Sequence, residues 1–438
     1  MMSDSPQSFH DAPLDAVMSE SLAQQGLSVS RVDDTTRIQT DAWLSAVSRG
    51  FLDEDPGETR RHAFFERAAY RRKLGVYDAA AAQPEVPVAT FASWSTELTV
   101  PGGTVPASAI SSVTVAPTHR RRGILRSLMA GELRTAAALG LPVAVLTVSE
   151  STIYRRFGFG AAAASAHWDL RVRRAAWNGP HAAGRVDFVS REQARDTAAV
   201  LHERVRLDCP GEIAFPGGHL ERVFGTSADA EKPERLRAVQ YRSPSGETEG
   251  VAVYTVTENV ESFSDSTVDV SLLLAATDDA YAGLWRFFLE MDLIGRLRAS
   301  ELAVDEPLWW MIADQRAATI TVSDHQYVRI LDVPATLASR RYDIADTIAL
   351  EVSDPLELAG GTVVLATDAE GVASVERVDA PPAGVPLVRL GVADLSSLLL
   401  GGVSAVTLAR AGRIETDHPA RIARVFQTAH APRLSFWY

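Results

Sequence analysis

Two short stretches of the sequence concentrate side chains that could do chemistry. The first, VTVAPTHRRRGILRSLM from Val113 to Met129, sets His119, Arg120, Arg121 and Arg122 in a row ahead of Gly123, in a chain whose formal net charge is -13. The second, SESTIYRRFGFG from Ser149 to Gly160, presents Tyr154 before two arginines and a Gly-Phe pair. If the arginine run opens a helix after a strand, the unpaired N–H groups of that helix end attract an anion. Flanking guanidinium groups add bidentate phosphate contacts, and Gly123 lets backbone and ligand approach with no Cβ between them. Such a site suits a pyrophosphate. A solvated first turn competes with that reading, because cations at a helix N-terminus oppose the macrodipole and need an anion or water beside them. A nucleic-acid patch fits poorly: there is no second basic cluster of this density, no interleaved aromatic platform, and the overall charge is acidic.

The elements around these stretches read as an α/β unit. PVATFASWSTELTVPG predicts a strand and its exit, with Val88, Phe91 and Trp94 among small and β-branched residues. AISSVTVAP predicts a strand ended by Pro117, and GILRSLMAGELRTAAALG a helix carrying Ile124, Leu125, Leu128, Met129 and Leu133, closed by Gly140. A buried strand, Pro142 to Ser149, and a short helix follow. Upstream, RRHAFFERAAYRRKLGVYD has helical spacing at Phe64, Phe65, Ala68, Ala69 and Arg72. Downstream, the stretches from RVDFVSREQARDTAAVLHERVRL to VDVSLLLAATDDAYAGLWRFFLEMD repeat the order helix, hairpin, buried strand, helix, but the turn AATDDAYAG has no arginines. A second copy that has lost its cradle is expected. Tyr327 to Asp343 reads as a hinge into an α+β module of short strands and two helical segments, DLSSLLLGG and HPARIARVFQTAHA.

Length and composition set the frame. At 438 residues the chain exceeds the size at which one hydrophobic core stops growing, so two or three domains are expected. Hydrophobic content of 46% with 23% charged residues fits a globular protein. No apolar run reaches the ~18 residues of a bilayer span. The first 30 residues lack the basic start and apolar core of a secretory signal, and they predict a flexible leader on a cytoplasmic protein. Cys209, the single cysteine, beside Pro210, reads as a buried or loop thiol. The ten histidines show no HExxH and no paired ligand spacing, so no metal is expected. The acidic balance disfavours nucleic acid and membranes as partners and favours a small cationic substrate. Trp43 with the Asp53-Glu54-Asp55 run is a candidate lining for an amine cleft, against a solvated acidic loop.

Arg120-x-x-Gly123 after a Val-x-Val-x-Pro strand resembles motif A of the GCN5-related N-acetyltransferases, the GNAT superfamily, and Tyr154-Arg-Arg-Phe-Gly158-Phe159 resembles the family's Tyr-x-Lys/Arg-x-Gly-Phe segment. Leu125 stands where motif A usually has a small residue. The pair SVTVAPTHRRRGILR and SESTIYRRFGFG resembles more narrowly the Eis (enhanced intracellular survival) group, in which that leucine is normal. The resemblance implies two tandem GNAT-like domains, α/β in class with the second degenerate, followed by a sterol-carrier-protein-like α+β domain. The expected division is a leader over 1–30, a catalytic domain over 31–172, a degenerate copy over 173–325 and the sterol-carrier-like domain over 326–438.

The resemblance also implies acetyl-CoA as acetyl donor and a homohexamer acting on an aminoglycoside-like or polyamine amine. It assigns cofactor contacts to Val113, Thr114 and Val115 on the strand, to Arg121, Arg122, Gly123, Ile124, Leu125 and Arg126 at the turn, and to Ser149 and Glu150 at the next strand end. The strand backbone would pair with the amides of the pantetheine arm. Acetyl transfer from a thioester needs a neutral amine, a stabilised oxyanion and a proton for the departing thiolate. Tyr154 suits the last role, although a phenol of pKa ~10 gives its proton to a thiol of pKa ~8.5 uphill by roughly 2 kcal/mol. Backbone N–H groups near Val115 are oxyanion candidates. The base nominated by the resemblance is the terminal carboxylate of Tyr438, made more basic by an apolar wall from Phe436, Trp437 and Tyr438. A lipid carrier or scaffold with a vestigial first domain is the alternative.

Overall fold

The computed structural model describes residues 9–438. Packing divides the chain into two units: residues up to Ala162 together with Gln326–Ala429 and Tyr438, and Ala163–His325 together with His430–Trp437. Among the described residues no helix is long and apolar enough to cross a membrane.

The first unit is built on strands β1 (Leu27–Arg31), β2 (Arg72–Asp78), β3 (Ala89–Val100), β4 (Gly103–Val115) and β5 (Val143–Thr147). Consecutive pairs from β1 to β4 are antiparallel, whereas β4 and β5 run parallel. The helix Ile124–Ala138 makes that parallel crossover. It buries Ile124, Leu128, Met129, Leu133 and Ala136, a face that recurs at three- to four-residue turns, in the core that also takes Phe91, Leu146 and Phe159. β5 reads Val-Ala-Val-Leu and its first four residues are buried, as a parallel strand covered on both faces should be.

In the second unit, β6 (Gly160–Arg171) contributes residues Ala166 to Arg171, joined by β7 (Arg185–Val189), β8 (Leu236–Arg242), β9 (Thr248–Thr257), β10 (Ser266–Ala275) and β11 (Ile294–Leu302). Its pairing repeats the first unit: antiparallel from β7 to β10, parallel between β10 and β11, antiparallel between β11 and β6. The last strand of each sheet comes from the other repeat. β6 follows β5 in sequence yet pairs with β11, and the end of β12 (Ala318–Ile330) pairs with β5 from Ile330↔Val143 to Gln326↔Thr147. The packing units therefore do not follow chain order.

The remaining part of the first unit is a five-stranded sheet of β13 (Asp346–Ser353), β14 (Gly361–Thr367), β15 (Ala373–Val378), β16 (Leu387–Gly391) and β17 (Ile414–Glu415), ordered β15-β14-β13-β16-β17. The helices Val392–Leu399, Ala405–Arg410 and Pro419–Phe426 complete it.

Three expectations are corrected. Residues 1–8 of the expected leader lie outside the described residues, but 9–30 are ordered into the core: Asp15 caps the helix Ala16–Ala23, β1 joins the sheet, and Phe9, Met18, Leu22 and Leu27 are buried. What fixes them lies far along the chain. Arg72 donates to the carbonyls of Ala12 and Pro13, and Arg134 pairs with Asp15. The helix read through Arg72 ends at Arg67, because the charged start of β2, Arg72 and Lys73, is buried and paired rather than on a solvated helix face. Tyr327 to Asp343 is no hinge: it holds the end of β12 and the helix Val333–Ala338, with Arg329 and Arg340 buried.

The Arg72–Glu132 pair, Nε to Oε2 at 3.0 Å with both side chains almost fully buried, links β2 to the crossover helix. Removing one partner strands the other charge in a medium that cannot solvate it. Glu132→Ala is expected to destabilise the chain by about 3–5 kcal/mol, read from equilibrium urea unfolding, and a loss below 1 kcal/mol would show the pair to be dispensable.

Candidate active site

β4 and β5 pair only from Ala107↔Val143 to Ile110↔Leu146. Beyond Ile110 the register of β4 against β3 slips, Ser112 takes a left-handed φ of 53°, and the strand continues bound to β3 through Thr90↔Thr114 and Ala89↔Val115. The edge of Val113–Val115 that faces away from β3 is thus released from β5. A cavity of about 870 Å³ opens there.

Its floor at one end is the arginine bend. Arg121 (φ 66°) and Gly123 (φ 78°) both adopt left-handed backbone, turning the chain sharply before the helix Ile124–Ala138. No described side chain caps that helix, so the first-turn N–H groups remain available to a ligand. A Cβ on Gly123 would meet nothing within 4 Å, so glycine is required there by its φ and not by crowding. The second unit shows the contrast. Its corresponding helix, Asp278–Leu289, is capped by Thr277, whose hydroxyl accepts from the Ala280 N–H at 3.2 Å, and begins with two aspartates. An anion would be repelled there, which accounts physically for the lost cradle.

Val113, Thr114, Val115, Arg121, Gly123, Ile124, Leu125, Arg126, Ser149, Glu150 and Tyr154 all line the large cavity. Arg122 does not; it turns to an adjoining cavity of about 420 Å³ and donates to the Gln25 carbonyl at 3.1 Å. Sequence reasoning missed Gly50, Phe51 and Leu52, Arg156, Phe157, and Pro355 with Leu356 from the C-terminal module. His119 also lines the cavity, but its ring is held by Asp78 at 3.0 Å and Thr118 at 2.8 Å, as a helix-entry residue.

Tyr154 ends the four-residue helix Ser151–Tyr154, is 6% exposed, and meets Phe159 edge-on at 6.1 Å. Burial raises its phenol above the ordinary value of 10; a hydrogen bond from Ser149 opposes this, and the Glu150 charge adds to it. The phenol is protonated throughout the neutral range.

Tyr438 does not line the cavity. Its main-chain carboxyl oxygen accepts from Thr147 Oγ1 at 2.9 Å, at the last residue of β5 and two residues before Ser149. Its ring meets Trp94 edge-on at 5.3 Å. The expected wall from Phe436 and Trp437 is not what surrounds Tyr438. Phe436 packs against Phe215 and His219 in the second unit, and Trp437 lies 5.3 Å from His325. Trp43 is likewise no cleft residue: it is fully buried, donates to the Leu74 carbonyl at 2.8 Å and stacks on Phe64. Asp53, Glu54 and Asp55 are exposed. Cys209 is half-buried, 3.9 Å from Arg433.

Comparison with known proteins bears on the family and the fold. An acetyltransferase (GNAT) domain family matches residues 31–162, a second acetyltransferase (GNAT) domain family matches 219–330, and a sterol carrier protein domain family matches 333–435. The chain is 37% identical over 404 residues to an uncharacterized N-acetyltransferase of Streptomyces avermitilis, covering 88% of this chain and 94% of that one. It is 32% identical over 338 residues to the N-acetyltransferase Eis of Mycobacterium tuberculosis, covering 75% and 79%. The crystal structure of Eis1 from Mycobacterium abscessus superposes with a TM-score of 0.79 at 27% identity, over 94% of this chain and all of that one. These likenesses span both GNAT-like parts and the sterol-carrier-like module.

Ultraviolet difference titration of the wild type against Tyr154→Phe isolates the Tyr154 phenol. Because burial disfavours the phenolate, this tyrosine should ionise above pH 10; ionisation below 10 would contradict the buried geometry.

Proposed function

Because the chain belongs to the Eis family of GNAT N-acetyltransferases, we propose that it moves the acetyl group of acetyl-CoA onto an amine of a cationic polyamine-like or aminoglycoside-like substrate, with Tyr154 as general acid and the Tyr438 carboxylate as general base. The observation that carries this reading is the parting of β4 from β5, with the arginine bend below it and Tyr154 beside it.

The residues present fit such a donor. Exposed Arg121 and the uncapped helix start suit a diphosphate, and the free edge of Val113–Val115 suits an amide-bearing arm that pairs as an added strand. When bound, acetyl-CoA supplies an activated thioester carbonyl. N–H groups along the same strand edge, near Val115, are the donors this reading assigns to the charge that would build on the carbonyl oxygen. The amine nitrogen bonds to the carbonyl carbon as the carbon–sulfur bond breaks. Tyr154 gives its proton to the departing sulfur. Its raised pKa keeps the proton in place beforehand but makes the transfer costlier than the ~2 kcal/mol of an ordinary phenol, and the Ser149 hydrogen bond offsets part of this by favouring the phenolate. The Tyr438 carboxylate, held by Thr147, takes the proton lost by the amine, directly or through a water. Net negative charge of -13 favours approach of a cation.

Incubation with isotopically labelled acetyl-CoA and an amine library, read by mass spectrometry, tests the reaction and its acceptor class. Tyr154→Phe is expected to lower kcat about 10²-fold or more while leaving the acetyl-CoA dissociation constant within about 2-fold. An unchanged kcat would remove Tyr154 from the chemistry. Deleting Tyr438 alone shifts the last carboxylate by one residue, away from Thr147. A loss of turnover larger than the accompanying loss of stability from the buried ring is expected, and a fully active variant would reject the terminal base.

A further inference from the structure

The segment that carries Tyr154 is gripped on its far side by the sterol-carrier-like module. Arg155 Nη2 donates to both oxygens of Asp394, at 2.8 and 2.7 Å, and the Asp394 side chain is 6% exposed at the start of the helix Val392–Leu399. Two residues on, the Phe157 carbonyl accepts from Arg329 Nε at 2.7 Å. Arg329 Nη2 then donates to both oxygens of Asp354 at 2.7 Å, with both side chains fully buried. Asp354 in turn accepts the N–H groups of Leu356, Leu358 and Ala359 at 3.1, 2.9 and 2.8 Å, which folds the loop whose Pro355 and Leu356 line the cavity with Tyr154. The glycines of the motif close the remaining space. A Cβ on Gly158, which has φ 87°, would stand 2.5 Å from Arg329 Nε and 2.8 Å from Val392, and one on Gly160 would stand 1.9 Å from the Ala393 carbonyl.

We infer that the sterol-carrier-like module serves as the brace of the general acid, with Asp394 acting through Arg155, and Asp354 through Arg329, as positioning residues that hold Tyr154 against the cavity. This rests on the reading of Tyr154 given above. The two contacts follow Tyr154 closely: one falls on the next residue and the other on the third. A four-residue helix has no length of its own to resist rotation, so its orientation comes from these external bonds. Small displacements of a proton donor are expensive in rate, of order 10²-fold per ångström, whereas the arginine bend that holds the donor's diphosphate lies on a different element and should be spared.

The test uses the full chain with Arg155→Gln and Asp394→Asn, each alone and combined with Tyr154→Phe. Arg155 is 42% exposed in its side chain, so Arg155→Gln keeps the test valid if Asp394→Asn fails to fold. Expected are a roughly 10-fold fall in kcat, an acetyl-CoA dissociation constant within about 2-fold of wild type, partial rescue by Arg155→Lys, and no further fall when Tyr154→Phe is already present. The same variants should bring the Tyr154 titration down toward pH 10, as the loosened phenol meets water. Equal fold losses with and without Tyr154, or an unmoved titration with unchanged kcat, would overturn the brace. If Tyr154→Phe itself leaves kcat unchanged while Arg155→Gln shifts the titration, the acid role falls and the brace stands.

Discussion

Two parallel strands that pair over four positions and then separate are the constraint from which the rest of this site follows. Pairing from Ala107↔Val143 to Ile110↔Leu146 fixes β4 and β5 in the sheet; the slip at Ser112 then lets β4 stay with β3 and leave β5. An unpaired strand edge inside a protein is costly unless a partner supplies its hydrogen bonds. The elements that follow β4 and β5 arrive at the mouth of this opening. The end of β4 leads into the arginine bend, and the end of β5 leads into Ser149, Glu150 and Tyr154.

The chain runs this architecture twice with opposite outcomes. Strand pairing in the second unit repeats the first, down to a parallel pair between β10 and β11. The difference lies in a few residues at a helix start: Thr277 satisfies the helix end internally and two aspartates follow, whereas Gly123 leaves it open beneath arginines. Fold alone therefore does not distinguish the two copies, and the local chemistry of one turn sets them apart.

The two GNAT-like parts and the α+β module were legible in the sequence because their helices and buried strands carry strong local periodicity. The cavity residues were legible because motif A and the tyrosine motif are contiguous. What escaped depends on partners distant along the chain. Residues 9–30 look like a polar leader until Arg72 and Arg134 are seen to bind them. Tyr327 to Asp343 looks like a hinge because Arg329 and Arg340 interrupt its apolar pattern, yet burial is compensated by Asp354 for one and by the carbonyls of Leu399 and Phe426 for the other. Asp394 stands 239 residues from Arg155, and no local pattern could have joined them. The exchange of β6 and β12 between repeats is invisible for the same reason, since each strand reads alike whichever sheet receives it.

The close fit of Gly158 and Gly160 against Arg329, Val392 and Ala393 also bears on how such a protein can evolve. With no room for even a methyl group, the catalytic part and the sterol-carrier-like module cannot drift independently or be exchanged as interchangeable cassettes. A module imported from a distant cousin would have to bring the same backbone contour and the same pair of carboxylates, so the two parts are inherited as a single mechanical piece.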